Sequence, residues 1–154
     1  MKIYLAGPCD SENRTIMVQI AQWLRREPNF EVYCPWELKF EDAWEITQEE
    51  WSSRVFWADV KAIDDCDVFL MVSQGRKSTA GTNWEQGYAF AKQKIVYVIQ
   101  ITDEPTSLMT FCGCAHFWNN TKNTLYQKIK EIVDIINNPT GLLYKHKKCE
   151  TILT

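Results

Sequence analysis

Apolar and polar positions along the chain alternate between two periods. Short runs in which nearly every position is apolar read as strands buried on both faces, and stretches of helical period separate them. Ile3–Ala6 predicts a first strand. Glu12–Arg26 predicts a helix, with Ile16, Ile20, Trp23 and Leu24 on one face. Phe30–Cys34 predicts a second strand, ending at Pro35, and residues 36–45 are aromatic and acidic without a period, as in a loop. Thr47–Cys66 predicts a long helix, with Thr47 as N-cap and Glu50 three positions on. Asp67–Ser73 and Lys94–Ile101 predict buried strands, Gln74–Thr82 a polar loop and Asn83–Lys92 a helix between them. Phe117 marks a short last strand, and Thr121–Ile136 a final helix with Leu125, Ile129, Ile132, Val133 and Ile136 in phase.

This order predicts an α/β fold: a flavodoxin-like or Rossmann-like, doubly wound, parallel five-stranded sheet with helices on both faces. Residues 1–138 form one domain in this reading, and 139–154 a C-terminal tail. Ligands of such folds sit beyond the carboxyl ends of the strands, where strand order reverses. That nominates the loop Gly7–Asn13, the loop Gln74–Thr82 and the loop after Ile101.

Composition narrows the function classes. A net charge of −3 leaves no electrostatic footprint for nucleic acid, and the basic run Lys145–Lys148 reads as a solvated tail. The longest apolar runs are far too short to span a bilayer. A strand-like segment at the very start predicts no signal peptide. Six cysteines in a chain with this much hydrophobic sequence read as reduced thiols of a cytoplasmic protein. Cys112-Gly-Cys114 lacks a second pair at metal-ligand spacing, so neither metal nor cofactor is expected. Seven tryptophans suit a packed core or a flat ligand, and Trp36, Trp44 and Trp84 are candidates for a slot around a planar base.

Chemistry concentrates at the second nominated loop. Glu85 falls in the first turn of the helix expected from Asn83, where the helix dipole favours the ionised carboxylate that a nucleophile needs. Gly87, costly inside a helix, suggests close helix–strand packing. A second acidic cluster holds Asp59, Asp64, Asp65 and Asp67, from which one carboxyl near Glu85 would complete the pair that retaining glycoside chemistry uses.

Tyr4, Gly7, Asp59, Asp67, the segment Gly81-Thr82-Asn83-Trp84-Glu85-Gln86-Gly87-Tyr88-Ala89 and Pro105-Thr106-Ser107-Leu108-Met109 together resemble the nucleoside 2-deoxyribosyltransferase family. The resemblance runs from the first strand to about residue 113. It implies that Glu85 attacks the anomeric carbon, that Tyr4 orients the Glu85 carboxylate, and that Asp59 contacts the base and assists proton transfer. It further implies that Ser107 reaches a neighbouring subunit's site, which calls for a homodimer or a higher homo-oligomer. Thr79 stands where the transferases commonly carry aspartate, and Ser107 where they commonly carry asparagine. The related deoxynucleoside 5′-monophosphate N-glycosidases have small hydroxyl residues at both places, where they bind the 5′-phosphate. Ser78, Ser11 and Arg14 are further candidates for phosphate contacts. The expected activity is therefore cleavage of a 2′-deoxynucleoside or its 5′-monophosphate, with the sugar passed to another base or to water. A non-catalytic nucleotide-binding module and a nicotinamide-nucleotide glycohydrolase are the alternatives.

Overall fold

The computed structural model describes residues 1–119 and 123–138. Five parallel strands form one sheet in the order β2-β1-β3-β4-β5: β1 Lys2–Ala6, β2 Glu31–Tyr33, β3 Val68–Ser73, β4 Ile95–Gln100 and β5 His116–Trp118. The helices are α1 Arg14–Leu24, α2 Gln48–Asp65, α3 Ala80–Ala91, α4 Leu108–Cys112 and α5 Leu125–Asn137. Strand order reverses between β1 and β3, which places the ligand crevice beyond Ala6 and Ser73.

Alternation along the strands divides the core in two. Ile3 and Leu5 of β1, with Leu70 and Val72 of β3, pack against Met17 and Ile20 of α1 and Ile129 and Ile132 of α5. Tyr4 and Ala6, with Phe69 and Met71, face Ile63 of α2 and Ala89 of α3. All six residues of β3 are buried, as its uninterrupted apolar run requires. Of α2, only Val60 and Ile63 are buried, so its aromatic residues near the start stand outside the core.

Several boundaries differ from the sequence expectation for local reasons. Thr47 does cap α2, its side chain accepting from the Glu50 N–H at 3.2 Å. In contrast, α1 begins two residues late because Asp10 captures the N–H and side-chain amide of Asn13 and holds residues 10–13 in a turn. The loop after β2 contains a 3-10 turn at Pro35–Glu37. The loop after β3 holds another at Gly75–Lys77, with Gly75 at φ +64°, and α4 is a helix the sequence pattern did not announce. The most consequential shift is in α3, which starts at Ala80 rather than Asn83 because Thr79 accepts from the Thr82 N–H at 3.2 Å. Glu85 therefore lies in the second turn, beyond the reach of the helix dipole invoked for it. Gly87 does not pack against a strand either: a methyl group there would meet no atom within 4 Å. The expected tail, 139–154, lies outside the described residues.

Candidate active site

Three elements meet beyond the carboxyl ends of β1 and β3. The first is the loop after β1. Gly7 is held so close to α1 and β3 that a Cβ would sit 2.5 Å from the Met17 sulfur and 3.2 Å from Val72 Cβ. The second is the start of α3. There the buried Thr82 hydroxyl donates to the Gly7 carbonyl at 3.2 Å, tying α3 to the β1 loop. The third is α2, which brings Asp59 alongside.

Tyr4, Tyr33 and Phe69 sit in register across β2, β1 and β3. Their rings stack, each neighbour 5.3 Å from Tyr4. The Tyr4 hydroxyl donates to Glu85 Oε1 at 3.1 Å, and the Tyr33 hydroxyl donates to Asp59 Oδ1 at 2.8 Å. Two carboxyls thus face two hydroxyls mounted on a rigid sheet.

Burial and the neighbouring Asp59 charge push the Glu85 carboxyl up to about 7, against a smaller lowering by the Tyr4 hydrogen bond. Burial also raises Asp59, against the lowering by Tyr33 and Tyr4. Both tyrosine hydroxyls are raised, chiefly by burial and then by the carboxylates they bond, so they stay protonated donors. Cys9 borders the same space. Burial and the Glu85 charge push its thiol up to about 11, which keeps it a protonated, weak nucleophile at neutral pH.

Glu85 lies between two cavities. The inner one, about 200 Å³, is lined by Gly7, Cys9, Trp36, Thr79, Thr82 and Glu85. The outer one, about 470 Å³, is open and aromatic: Trp51, Phe56 and Trp84 form its walls, with Asp59 and Glu85 among its lining residues. Phe56 contacts Trp84 at 5.4 Å, and Trp84 stacks on Tyr88 at 5.3 Å. A small chamber, mostly apolar but with two threonines at one side, and a broad aromatic one, with a carboxylate between them, suit a ligand with a small part joined to a flat one.

The sequence-nominated residues do not all gather here. Tyr4, Gly7, Asp59, Thr79, Gly81 and Glu85 do. Arg14 lies at the rim, its guanidinium 5.5 Å from the Trp36 ring centre. The Ser78 hydroxyl is engaged within its own loop, with Ser73 Oγ and the Gln74 N–H. Asp67 stands at the opposite end of the sheet, accepting from the Lys2 N–H at 2.8 Å. Asp64 binds the Tyr88 hydroxyl and Lys92. Ser107 lines a separate groove on the other flank of α3, with Asn83, Gly87, Phe90 and Met109, where Gln86 holds α4 through the Thr110 carbonyl at 2.9 Å. Trp36 and Trp84 each wall one cavity, whereas Trp44 is 98% exposed. Tyr33, Cys9, Trp51 and Phe56 escaped the sequence reading. Cys9 left a trace there as a member of the nominated loop Gly7–Asn13, and Tyr33 as the residue before Cys34-Pro35 at the end of a strand.

Among the described residues no cluster of metal-ligating side chains occurs, and no helix is long and apolar enough to cross a membrane. No curated protein matches the chain significantly in sequence. Among solved structures, a 2-deoxyribosyltransferase from the psychrotolerant bacterium Bacillus psychrosaccharolyticus superposes with a TM-score of 0.68 at 26% identity, over 80% of this chain and 89% of that one. A conserved protein from Enterococcus faecalis does so with a TM-score of 0.69 at 19% identity, over 86% and 98%. The CMP N-glycosidase of Clostridium botulinum shares the fold with a TM-score of 0.61 at 18% identity, over 86% and 99%. The family model for nucleoside 2-deoxyribosyltransferases matches residues 3–135. With that match spanning most of its length, the chain belongs to the nucleoside 2-deoxyribosyltransferase family and is an enzyme of N-glycosidic bond chemistry.

Proposed function

We propose that this enzyme cleaves the N-glycosidic bond of a 2′-deoxynucleoside or its 5′-monophosphate through a covalent sugar ester on Glu85. The observation that carries this reading is the place of Glu85: hydrogen-bonded to Tyr4 and set between a small cavity that holds the Thr79 and Thr82 side chains and an open aromatic one. The inner cavity takes the sugar and the outer one the base. A Glu85 oxygen attacks C1′, the C1′–N bond breaks, and its electron pair leaves with the base, which takes a proton from the Asp59 carboxyl. A second base or a water then attacks C1′, frees Glu85 and returns a proton to Asp59. Incubation with a panel of nucleosides and 5′-monophosphates, with and without an acceptor base, tests this reading by chromatography of the released base. No release from any of them would refute it. Release that needs the acceptor marks a transferase, and release without it a hydrolase.

The 5′ end of the substrate is read from Thr79. The inner cavity is lined by Thr79, Gly81 and Thr82 at the start of α3, where Thr79 takes the Thr82 N–H and the N–H groups before it have no backbone acceptor within the helix and attract anions. Thr79 serves this arrangement as the cap that ends the helix there. Aspartate caps helices as well as threonine does, so Thr79→Asp keeps α3 intact while placing a charge beside the phosphate. The variant is expected to lose kcat/KM for a 5′-monophosphate far more than for the matching free nucleoside. Equal effects on both would remove the phosphate from this place.

The enzyme acts as a homodimer in this proposal, with the groove beside Ser107 as the interface. Leu108 and Met109 are exposed there, at 66% and 82%, next to the open space over Gly87. Light scattering is expected to give at least a dimer. A fully active monomer at assay concentration would exclude shared sites.

A further inference from the structure

We propose that Tyr33 is a positioning residue of this site: its hydroxyl holds Asp59 Oδ1, so that each of the two stacked tyrosines serves one carboxyl and the Asp59 proton is carried on Oδ2. The inference rests on the reading of Asp59 and Glu85 as the working carboxyls, and it assigns a task to a residue that the family motif leaves out.

A tyrosine hydroxyl has one proton to donate. Tyr4 gives its proton to Glu85 Oε1, yet Asp59 lies close enough to draw on the same hydroxyl. If Tyr4 were the only donor, the two carboxyls would compete for one proton, and the Glu85 carboxylate would lose its orientation whenever Asp59 won. Tyr33 removes the competition by donating to Asp59 Oδ1 at 2.8 Å, the shorter of the two bonds.

The geometry that makes this division possible belongs to the sheet. Tyr4 and Tyr33 are paired across β1 and β2, their rings 5.3 Å apart and inclined by 24°. Phe69 of β3 supports the other side of Tyr4 at 5.3 Å and 8°. Strand spacing thus sets the separation of the hydroxyls, and neither ring can swing without breaking the stack.

Tyr33 also settles which oxygen of Asp59 takes part in proton transfer. Oδ1 accepts from a hydroxyl that has no other proton to offer, so a protonated Asp59 carries its hydrogen on Oδ2. That arrangement keeps the acid in one orientation through repeated protonation and deprotonation. The groups bearing on Asp59 are Tyr33 from β2, Tyr4 from β1, Glu85 from α3 and Cys9 from the loop after β1. Of the three besides Tyr33, only Tyr4 carries a hydroxyl, now given to Glu85, that can turn to Asp59, so the loss of Tyr33 falls on Tyr4 and through it on Glu85.

Tyr33→Phe keeps the ring and the stack and removes only the hydroxyl. Two measurements test the inference. In a carbon-13 carboxyl titration of the substrate-free protein, the Asp59 midpoint is expected to move to higher pH in Tyr33→Phe, because a donor to the ionised form has gone. In kinetics, kcat is expected to fall on the order of tenfold with KM nearly unchanged, the size expected for one lost hydrogen bond to a carboxylate. In an Asp59→Ala background the same substitution is expected to have no further effect, since no second carboxyl then competes for Tyr4. An Asp59 midpoint that does not move would overturn the inference, as would an equal loss in the Asp59→Ala background, which would make Tyr33 a packing residue. Should the wild type release no base from any substrate, the proposed function fails, while the titration still decides the role of Tyr33.

Discussion

Glu85→Ala is expected to abolish turnover, lowering kcat/KM by several orders of magnitude, with the fold retained. In the proposed mechanism Glu85 carries the sugar, and no other side chain of the site can replace it: Cys9 is held protonated, and Asp59 is occupied by Tyr33. The fold should not merely survive. The Glu85 carboxyl is raised to about 7 in the folded protein. Below the ordinary carboxyl range both folded and unfolded chains hold its proton. Between that range and pH 7 only the folded chain does, so stability falls across this window and stays reduced above it. Removing the group lifts that cost, so Glu85→Ala is expected to melt no lower than the wild type at pH 8. Mass spectrometry with a slow 2′-fluoro substrate analogue should show a sugar adduct on Glu85 of the wild type and none on the variant. A folded Glu85→Ala that turns over at near the wild-type rate would end the covalent mechanism.

Activity is also expected to depend steeply on pH. Two carboxyls sharing one site release their protons as a pair. In the proposed mechanism the productive state holds one proton, with Glu85 ionised as nucleophile and Asp59 protonated as acid. The upper value of the pair is set near 7 by burial and mutual repulsion. The kcat/KM profile should therefore be bell-shaped, with a basic limb near pH 7 and a loss of about fiftyfold between pH 7 and pH 9, approaching tenfold for each unit at the upper end. The acid limb should lie above the ordinary aspartate range, because burial raises Asp59 as well. Asp59→Asn removes both the acid and the like charge. It should leave a low activity that rises to a plateau with pH, with its single limb displaced below 7. A wild-type profile flat from pH 6 to pH 9 would show that the pair does not govern the reaction.

The outer cavity shows why the helices of this protein look less amphipathic than their positions suggest. Trp51 and Phe56 of α2 and Trp84 of α3 are apolar residues with no core to enter. They stand outside because only Val60 and Ile63 of α2 reach the sheet. Aromatic side chains left exposed on facing helices become the walls of a cleft, and here that cleft borders the two carboxyls.

The fold class was legible in the residues because buried parallel strands and helices write different periods into a chain. Residues 68–72 and 95–99 carry uninterrupted apolar runs, and Leu125, Ile129, Ile132 and Ile136 repeat at helical spacing. Glu85, Tyr4 and Asp59 could be named from the family motif, since their spacing along the chain is part of the pattern. What the residues did not reveal depended on contacts between distant segments. The start of α3 turned on one hydroxyl of Thr79, and with it Glu85 moved away from the dipole expected to favour its ionised form, while burial raises its carboxyl instead. Asp67, with the same charge as Asp59 and only eight residues away, lies at the far end of the sheet because α2 ends between them and the chain enters β3 from its base. Tyr33 gained its place only when β2 paired with β1 and brought two rings into register. Periodicity is a local property, carried by neighbours within a few turns. Strand pairing, burial and the pairing of each carboxyl with a tyrosine hydroxyl are set by residues tens of positions apart, and only the folded chain brings them together.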